Sequence, residues 1–490
     1  MIALAGGLSA TLLARAAAGD QILLPLTIDP PATLAAIPKF KVSPREFLYR
    51  IAFPLGRHPI GLDVQRILAA VDWFEAQNAA HPAPIRITAD MPDQVATAEF
   101  AAALDSRIEG GLRFYAGPMH VPAAGAKRVE DNLWDAATAA PSRLRWSEPA
   151  QLPTPEAPPA IPDALPFRGY LRNTLQYLET LVRRSPLERA AFWASAGRSS
   201  PVEWQRSAQK YRDYFWNEVI GRLPAPSVPA NPRSRLIYET AKLRGYEVML
   251  DVHPQVFAFG ILLVPKDLKE GERRPVVVCQ HGLEGRPRDV ADPAHANPTY
   301  SQFAVRLAEL GFVTFSPQNP YTGGDRFRQI QLKANPRKLS IFSFVLSQHQ
   351  RILEWLGGLP IVDRARIGFY GLSYGGYTAM RVPALLEGYA LSICSGNFNE
   401  WVWKTSTLDA PFTYPFHPDY EIVEWNFANT YNYAELASLI FPRPFLANGA
   451  ITTVFPTTSG WLMNTPGFSA SMTRWGCATA PGSNTSTAGM

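Results

Sequence analysis

Residues 366–380 read Arg-Ile-Gly-Phe-Tyr-Gly-Leu-Ser-Tyr-Gly-Gly-Tyr-Thr-Ala-Met. Residues 367–370 form an apolar, β-prone run, and from Tyr377 the pattern turns helical. Between them lies Gly371-Leu372-Ser373-Tyr374-Gly375, a Gly-x-Ser-x-Gly turn in a strand–turn–helix setting. A turn this tight strains the serine backbone, and glycines two before and two after it remove side chains that would collide. The Ser373 hydroxyl is then presented above the end of the strand, beside a helix N-terminus that favours negative charge.

Upstream, residues 275–280 (PVVVCQ) form a continuous apolar run, as a strand buried on both faces should, and His281-Gly282-Leu283-Glu284-Gly285 follows directly. Residues 246–264 give two alternating strands suited to an antiparallel start. Helix 300–310, strand 312–316, helix 341–356, the elbow strand, helix 377–386 and strand 390–395 then alternate as in a doubly wound, mostly parallel α/β sheet. In this setting Ser373 is a nucleophile for an acyl carbonyl. The developing oxyanion needs preorganised donors, for which the backbone N–H groups of Tyr374 and Leu283 are the candidates. Gly282 lets the backbone approach the substrate, and His281 is read as a residue that shapes this loop, not as the catalytic base.

Four stretches carry a family resemblance over roughly residues 235–447: VVVCQHGLEG, GFVTFSPQNPYTGGDRF (311–327), RIGFYGLSYGGYTAM, and NYAELASLIFPRPFL (432–446). They resemble the α/β-hydrolase superfamily, and within it the dienelactone hydrolase and acetyl xylan esterase-like esterases. The resemblance implies an α/β-hydrolase sheet, a small-molecule or carbohydrate ester as substrate, and no metal or organic cofactor. True dienelactone hydrolases carry a cysteine nucleophile, so Ser373 departs from them towards ester hydrolysis. It also implies a triad in the order Ser, Asp, His, with the Asp in a Gly-His-Asp-Asp-Gly-like stretch after the next strands and the His in a late loop.

Neither helper is present. From Ala447 to Met490 the only charged residue is Arg474, and there is no Asp, Glu or His. Read one base earlier, the codons of Ile451-Thr452-Thr453-Val454 permit His-His-Asp-Gly, residues 457–465 permit Asp-Asp-Glu-Trp-Val-Ala-Tyr-Glu-Tyr, and residues 475–490 permit a stretch ending Phe-Asp-Gly-Gly-His. The expectation is a frameshift in the source DNA near codons 446–451. Without it, the segment is a Ser/Thr/Gly-rich tail. An unassisted Ser373 hydroxyl stays protonated and nucleophilically weak. His417, the only histidine after Ser373, sits between Phe416 and Pro418 in an expected surface turn and is a poor substitute base.

The rest of the chain sets the organisation. Residues 147–166 hold seven prolines and are read as a semi-rigid linker. Before it, residues 1–146 are expected to contain a non-catalytic α/β unit: helix 64–76, strand 84–88, helix 95–104 and strand 111–116 repeat the order around the elbow. Both copies open with Arg-Ile-Leu, but Asp90-Met91-Pro92-Asp93-Gln94 stands where the second copy has its nucleophile turn. Residues 167–230 are expected to be a helical cap or connector, 231–450 the hydrolase domain, and 451–490 the aberrant tail. Residues 1–18 are apolar and end in small residues. An atypical signal peptide, a core helix and a chain whose true start is missing all fit, so secreted, periplasmic and cytoplasmic locations stay open.

The net charge of +5 over 490 residues forms no basic block, which argues against a nucleic-acid partner. Three cysteines without paired spacing suggest neither a disulfide framework nor a zinc site, and no apolar run is long enough to span a membrane. Trp401, Trp403 and the 319–327 loop are candidate pocket walls, with core or cap packing the plainer role for the tryptophans. Two other functions remain: a non-catalytic binding protein on the same scaffold, and a prolyl-oligopeptidase-like peptidase. The peptidase would bring a β-propeller, for which residues 1–230 show no repeat.

Overall fold

In the computed structural model the described residues are 2–4, 15, 21–23, 44–80, 82–89, 92–113, 146–147, 165–322, 327–407 and 423–448. The chain divides into two compact units. One gathers Met1–Ala190, Arg328–Ile341 and Val402–Thr430, and the other Ala191–Phe327, Phe342–Trp401 and Tyr431–Met490.

The first unit holds a four-stranded sheet, all parallel, in the order β1 (Ile2–Leu4), β2 (Ile85–Ala89), β3 (Ile108–Arg113), β4 (Trp146–Ser147). Its helices include α1 (Pro44–Ala52), α2 (Pro59–Gln77), α3 (Pro92–Leu104) and most of α4 (Leu165–Phe192). Helix α2 starts at a proline, which is pre-set for a first helical turn, and His58 Nδ1 accepts the Ile60 N–H at 3.2 Å to cap it. Ile67, Val71 and Phe74 then recur at helical spacing and pack with Ile87, Ala98 and Phe100 in one core. The helix–strand–helix–strand order expected here is present. The last strand is described over Ile108–Arg113, and residues 114–116 of the expected 111–116 lie outside the described residues. Ile2–Leu4, read as part of a leader or core helix, is instead extended: Ile2 is fully buried and pairs with Ile87.

The second unit carries α5 (Pro201–Tyr214) and an eight-stranded sheet. The strands are β5 (Arg233–Glu239), β6 (Leu243–His253), β7 (Val256–Pro265), β8 (Arg274–Gln280), β9 (Val313–Pro317), β10 (Val362–Leu372), β11 (Leu391–Ser395) and β12 (Phe445–Asn448). Their spatial order is β12-β11-β10-β8-β9-β7-β6-β5. Strands β8 to β12 pair in parallel, while β9/β7, β7/β6 and β6/β5 are antiparallel. This is the doubly wound, mostly parallel α/β sheet that the sequence implied, with one strand, β5, that the sequence reading did not separate. Among the described residues no helix is long and apolar enough to cross a membrane.

Helices cover both faces, as the elbow strand itself shows. Phe369 points to one face, where its ring meets His349 (5.5 Å) of α7 (Ile341–Gly358). Tyr370 points to the other and meets Phe303 (4.6 Å) of α6 (Phe303–Glu309). Helix α8 (Tyr374–Leu385), directly behind the elbow, is buried along its whole length. Arg443 closes its C-terminal end: the guanidinium donates to Pro383 O (2.7 Å) and to Leu386 O at the cap (3.2 Å), a cation where a helix end is negative, and to Tyr389 O (2.9 Å) in the turn beyond.

Candidate active site

Strand order fixes where a site can form. Strand β8 lies between β9 and β10, so the chain leaves β8 towards one side of the sheet and leaves β9 to return on the other. The carboxyl ends of β8 and β10 therefore flank a topological switch point, the place where open α/β sheets form a crevice. Those two ends are Gln280-His281-Gly282 and Leu372-Ser373.

Ser373 has φ 87° and ψ −107°, a region costly for a residue with a side chain. Its side chain is exposed although Tyr374 and every other residue of α8 are buried. The strain is held in place by backbone contacts. Ser373 N–H donates to Ser395 O (2.9 Å), and Ser373 O accepts from Tyr377 N–H (2.8 Å) and from Asn397 Nδ2 (2.6 Å). Asn397 Oδ1 in turn accepts from the Tyr433 hydroxyl at 2.9 Å. A Cβ on Gly371 would lie 2.0 Å from Gly375 O. On Gly375 it would lie 2.3 Å from Gln280 O, and on Gly376 2.5 Å from Ser395 O. All three contacts are with backbone, so these positions require glycine.

The loop after β8 sits against this turn. A Cβ on Gly282 would lie 3.5 Å from Ser373 Cβ. Gly282 N–H is committed to the Tyr300 hydroxyl (2.8 Å), and Gly285 N–H to Gly282 O (3.2 Å). Leu283, half-buried, has an N–H with no acceptor among the described residues. Tyr374 is the first residue of α8, where helix geometry provides its N–H with no intrahelical acceptor.

His281 is fully buried, and its Nδ1–H donates to Gly282 O at 2.8 Å. Burial holds its pKa down to about 4, with the Gly282 bond pulling weakly the other way. Its Nε2 is buried without a partner. The imidazole is thus neutral and enclosed. Among the described residues no histidine is hydrogen-bonded to Ser373.

Trp401 is 3% exposed and stacks on Tyr433 (5.0 Å) in an aromatic layer with Tyr377, over which the Arg381 guanidinium lies 3.1 Å from the ring centroid. It is core, not pocket wall. Trp403 belongs to the first unit and is exposed. His417, residues 323–326 of the 319–327 loop, and residues 449–490 with the shifted-frame acid and base lie outside the described residues. Tyr300 and Asn397 were not singled out in the sequence. Asn397, two residues past the end of β11, carries a readable signal only once that strand is known to lie beside the elbow strand. Among the described residues no group of three His, Cys, Asp or Glu could hold a metal ion.

No protein-family model matches the chain. Among solved structures, one designated an acetyl xylan esterase of Bacteroides fragilis is 15% identical, covers 56% of this chain and 74% of its own, and has a TM-score of 0.46. A glucuronoyl esterase of Solibacter usitatus is 14% identical over 55% of this chain and 80% of its own, with a TM-score of 0.41. Acetyl xylan esterase 1 of a Thermoanaerobacterium species is 13% identical over 52% of this chain and 89% of its own, with a TM-score of 0.35.

Proposed function

We propose that this chain descends from serine carboxylester hydrolases acting on small-molecule or carbohydrate esters through an acyl-Ser373 intermediate, and that it is catalytically impaired as written. The observation that carries the reading is Ser373 itself, strained at φ 87° yet exposed, between glycines that tolerate no side chain. Strain of this kind costs about 1–3 kcal/mol and persists where the surroundings enforce it, commonly at functional sites.

In this reading Ser373 Oγ adds to the ester carbonyl carbon and the carbonyl electron pair moves onto oxygen. The N–H groups of Tyr374 and Leu283 receive that charge. The tetrahedral adduct collapses with loss of the alcohol, and water then cleaves the acyl-enzyme. A general base must take the serine proton, and the stretch from Ala447 to Met490 offers neither Asp, Glu nor His. A frameshift near codons 446–451 accounts for that absence. The tail composition also favours a second reading, a binding protein that keeps the scaffold without turnover.

Ester turnover by wild type and Ser373→Ala separates the two. Turnover that disappears with Ser373 supports the hydrolase, and retained ester binding with no turnover in either the written or the frame-restored chain supports the binding protein. The parent nucleotide sequence tests the frameshift, because codons lacking C or G at the required third positions refute it.

A further inference from the structure

We propose that Tyr300 is a catalytic residue of the Ser373 site, its hydroxyl donating a hydrogen bond to the carbonyl oxygen of the acyl group that Ser373 attacks. This rests on the reading of Ser373 as nucleophile. Gly282 N–H donates to Tyr300 Oη at 2.8 Å. A Cβ on Gly282 would lie 2.7 Å from that oxygen and 3.5 Å from Ser373 Cβ. Hydroxyl and nucleophile thus both close on one point beside Gly282, which only a residue without a side chain leaves free for them.

Accepting the Gly282 N–H uses a lone pair and leaves the phenolic hydrogen to donate. Among the described residues nothing accepts it. Burial raises the Tyr300 pKa above its ordinary value, the Gly282 bond opposing in part, so the group stays a donor throughout the neutral range. Its ring packs edge-on against Phe303 (6.4 Å), which packs on Tyr370 of the elbow strand (4.6 Å), so the donor is tied to the strand that carries the nucleophile.

As Ser373 Oγ bonds the carbonyl carbon, the π pair moves to oxygen and the serine proton leaves to solvent or base. Tyr300 keeps its own proton and shares it with the oxyanion, alongside Leu283 N–H. When the pair returns, the ester C–O bond breaks and the alcohol departs. Removing one such preorganised donor costs on the order of 10²-fold in rate.

The test uses the full chain with its frame restored after codon 446, taken here as wild type so that a base can accept the Ser373 proton, and a fluorophosphonate probe, whose P–F bond breaks and releases fluoride as Ser373 Oγ bonds phosphorus. Labelling is followed by intact mass for wild type, Ser373→Ala and Tyr300→Phe, with unfolding midpoints measured in parallel. The expected result is wild-type labelling that Ser373→Ala abolishes, and a second-order rate constant lower by on the order of 10²-fold in Tyr300→Phe at an unchanged midpoint. Tyr300→Phe labelling as fast as wild type overturns the proposal while leaving the nucleophile reading intact. Wild type with no Ser373-dependent labelling overturns both. If Tyr300→Phe loses its cooperative transition, Gly282→Ala, whose methyl would meet Tyr300 Oη at 2.7 Å, displaces the hydroxyl instead and is held to the same outcomes.

Discussion

The ends of β10 and β12 lie on the same rim of the same sheet, separated only by β11, yet they are built to different standards. At the end of β10, backbone bonds fix Ser373, three glycines admit no methyl, and a wholly buried helix stands behind the turn. At β12, the residues Phe-Leu-Ala-Asn are half-buried, exposed, exposed and exposed, Leu446 is 47% exposed, and the sequence that follows is almost without charge. The opposite edge sharpens the contrast. Strand β5 also faces outward, but it carries Arg233 and Arg235, paired with Asp251 and Glu247 of β6. Sheet edges are normally guarded by charge or covered by further chain. An uncharged, exposed β12 is the kind of edge that further chain covers.

Four substitutions or conditions break or sharpen this contrast. The largest effect is expected at the elbow: Gly371→Ala drives a methyl into Gly375 O, costing about 3 kcal/mol of stability and abolishing Ser373 labelling. Chemical denaturation and the fluorophosphonate assay read both, and an unperturbed Gly371→Ala protein breaks the claim that the turn is fully specified.

Acidification comes next. His281 and His349, both fully buried, are held by burial at about 4 and about 3, against 6.5 when unfolded. Between those values the unfolded chain binds more protons than the folded one, so stability is full above pH ~6.5 and falls as pH drops towards 4, by on the order of 3 kcal/mol for each imidazole. Denaturation midpoints across that range should show the loss, and His349→Gln should roughly halve it. A profile that stays level would mean these imidazoles are not enclosed.

A smaller effect tests the strain directly. Glycine adopts positive φ without penalty, so Ser373→Gly should be more stable than Ser373→Ala by about 1 kcal/mol. Equal stabilities would remove the strain from the account. The smallest expected change in stability is at the other end: Leu446→Lys, on an exposed edge, should leave the unfolding midpoint within about 0.5 kcal/mol while reducing concentration-dependent association seen by light scattering.

Much of the second unit was legible because its strands are buried on both faces and read as continuous apolar runs, as in residues 275–280 and 367–370. The elbow was legible because only glycine satisfies its close backbone contacts. Strand β5 was not, since its seven residues are mostly exposed and polar and its pairing with β6 leaves no apolar periodicity. Nor were Tyr300 and Asn397: each acts on Ser373 or its loop through contacts between residues far apart in sequence, which spacing cannot reveal. Helix α8 begins at Tyr374 instead of the expected Tyr377 because the two glycines that disguise its first turn are there for packing, not as breakers.

The central claim is that Ser373 is an intact acyl-accepting nucleophile whose acid and base are encoded out of frame. Ester hydrolysis by the chain as written and by the chain with its frame restored after codon 446, each beside its Ser373→Ala variant, tests it most directly. The account predicts that restoration raises Ser373-dependent turnover by at least on the order of 10³-fold. Equal turnover in the two chains, or turnover in the restored chain that survives loss of Ser373, would contradict it.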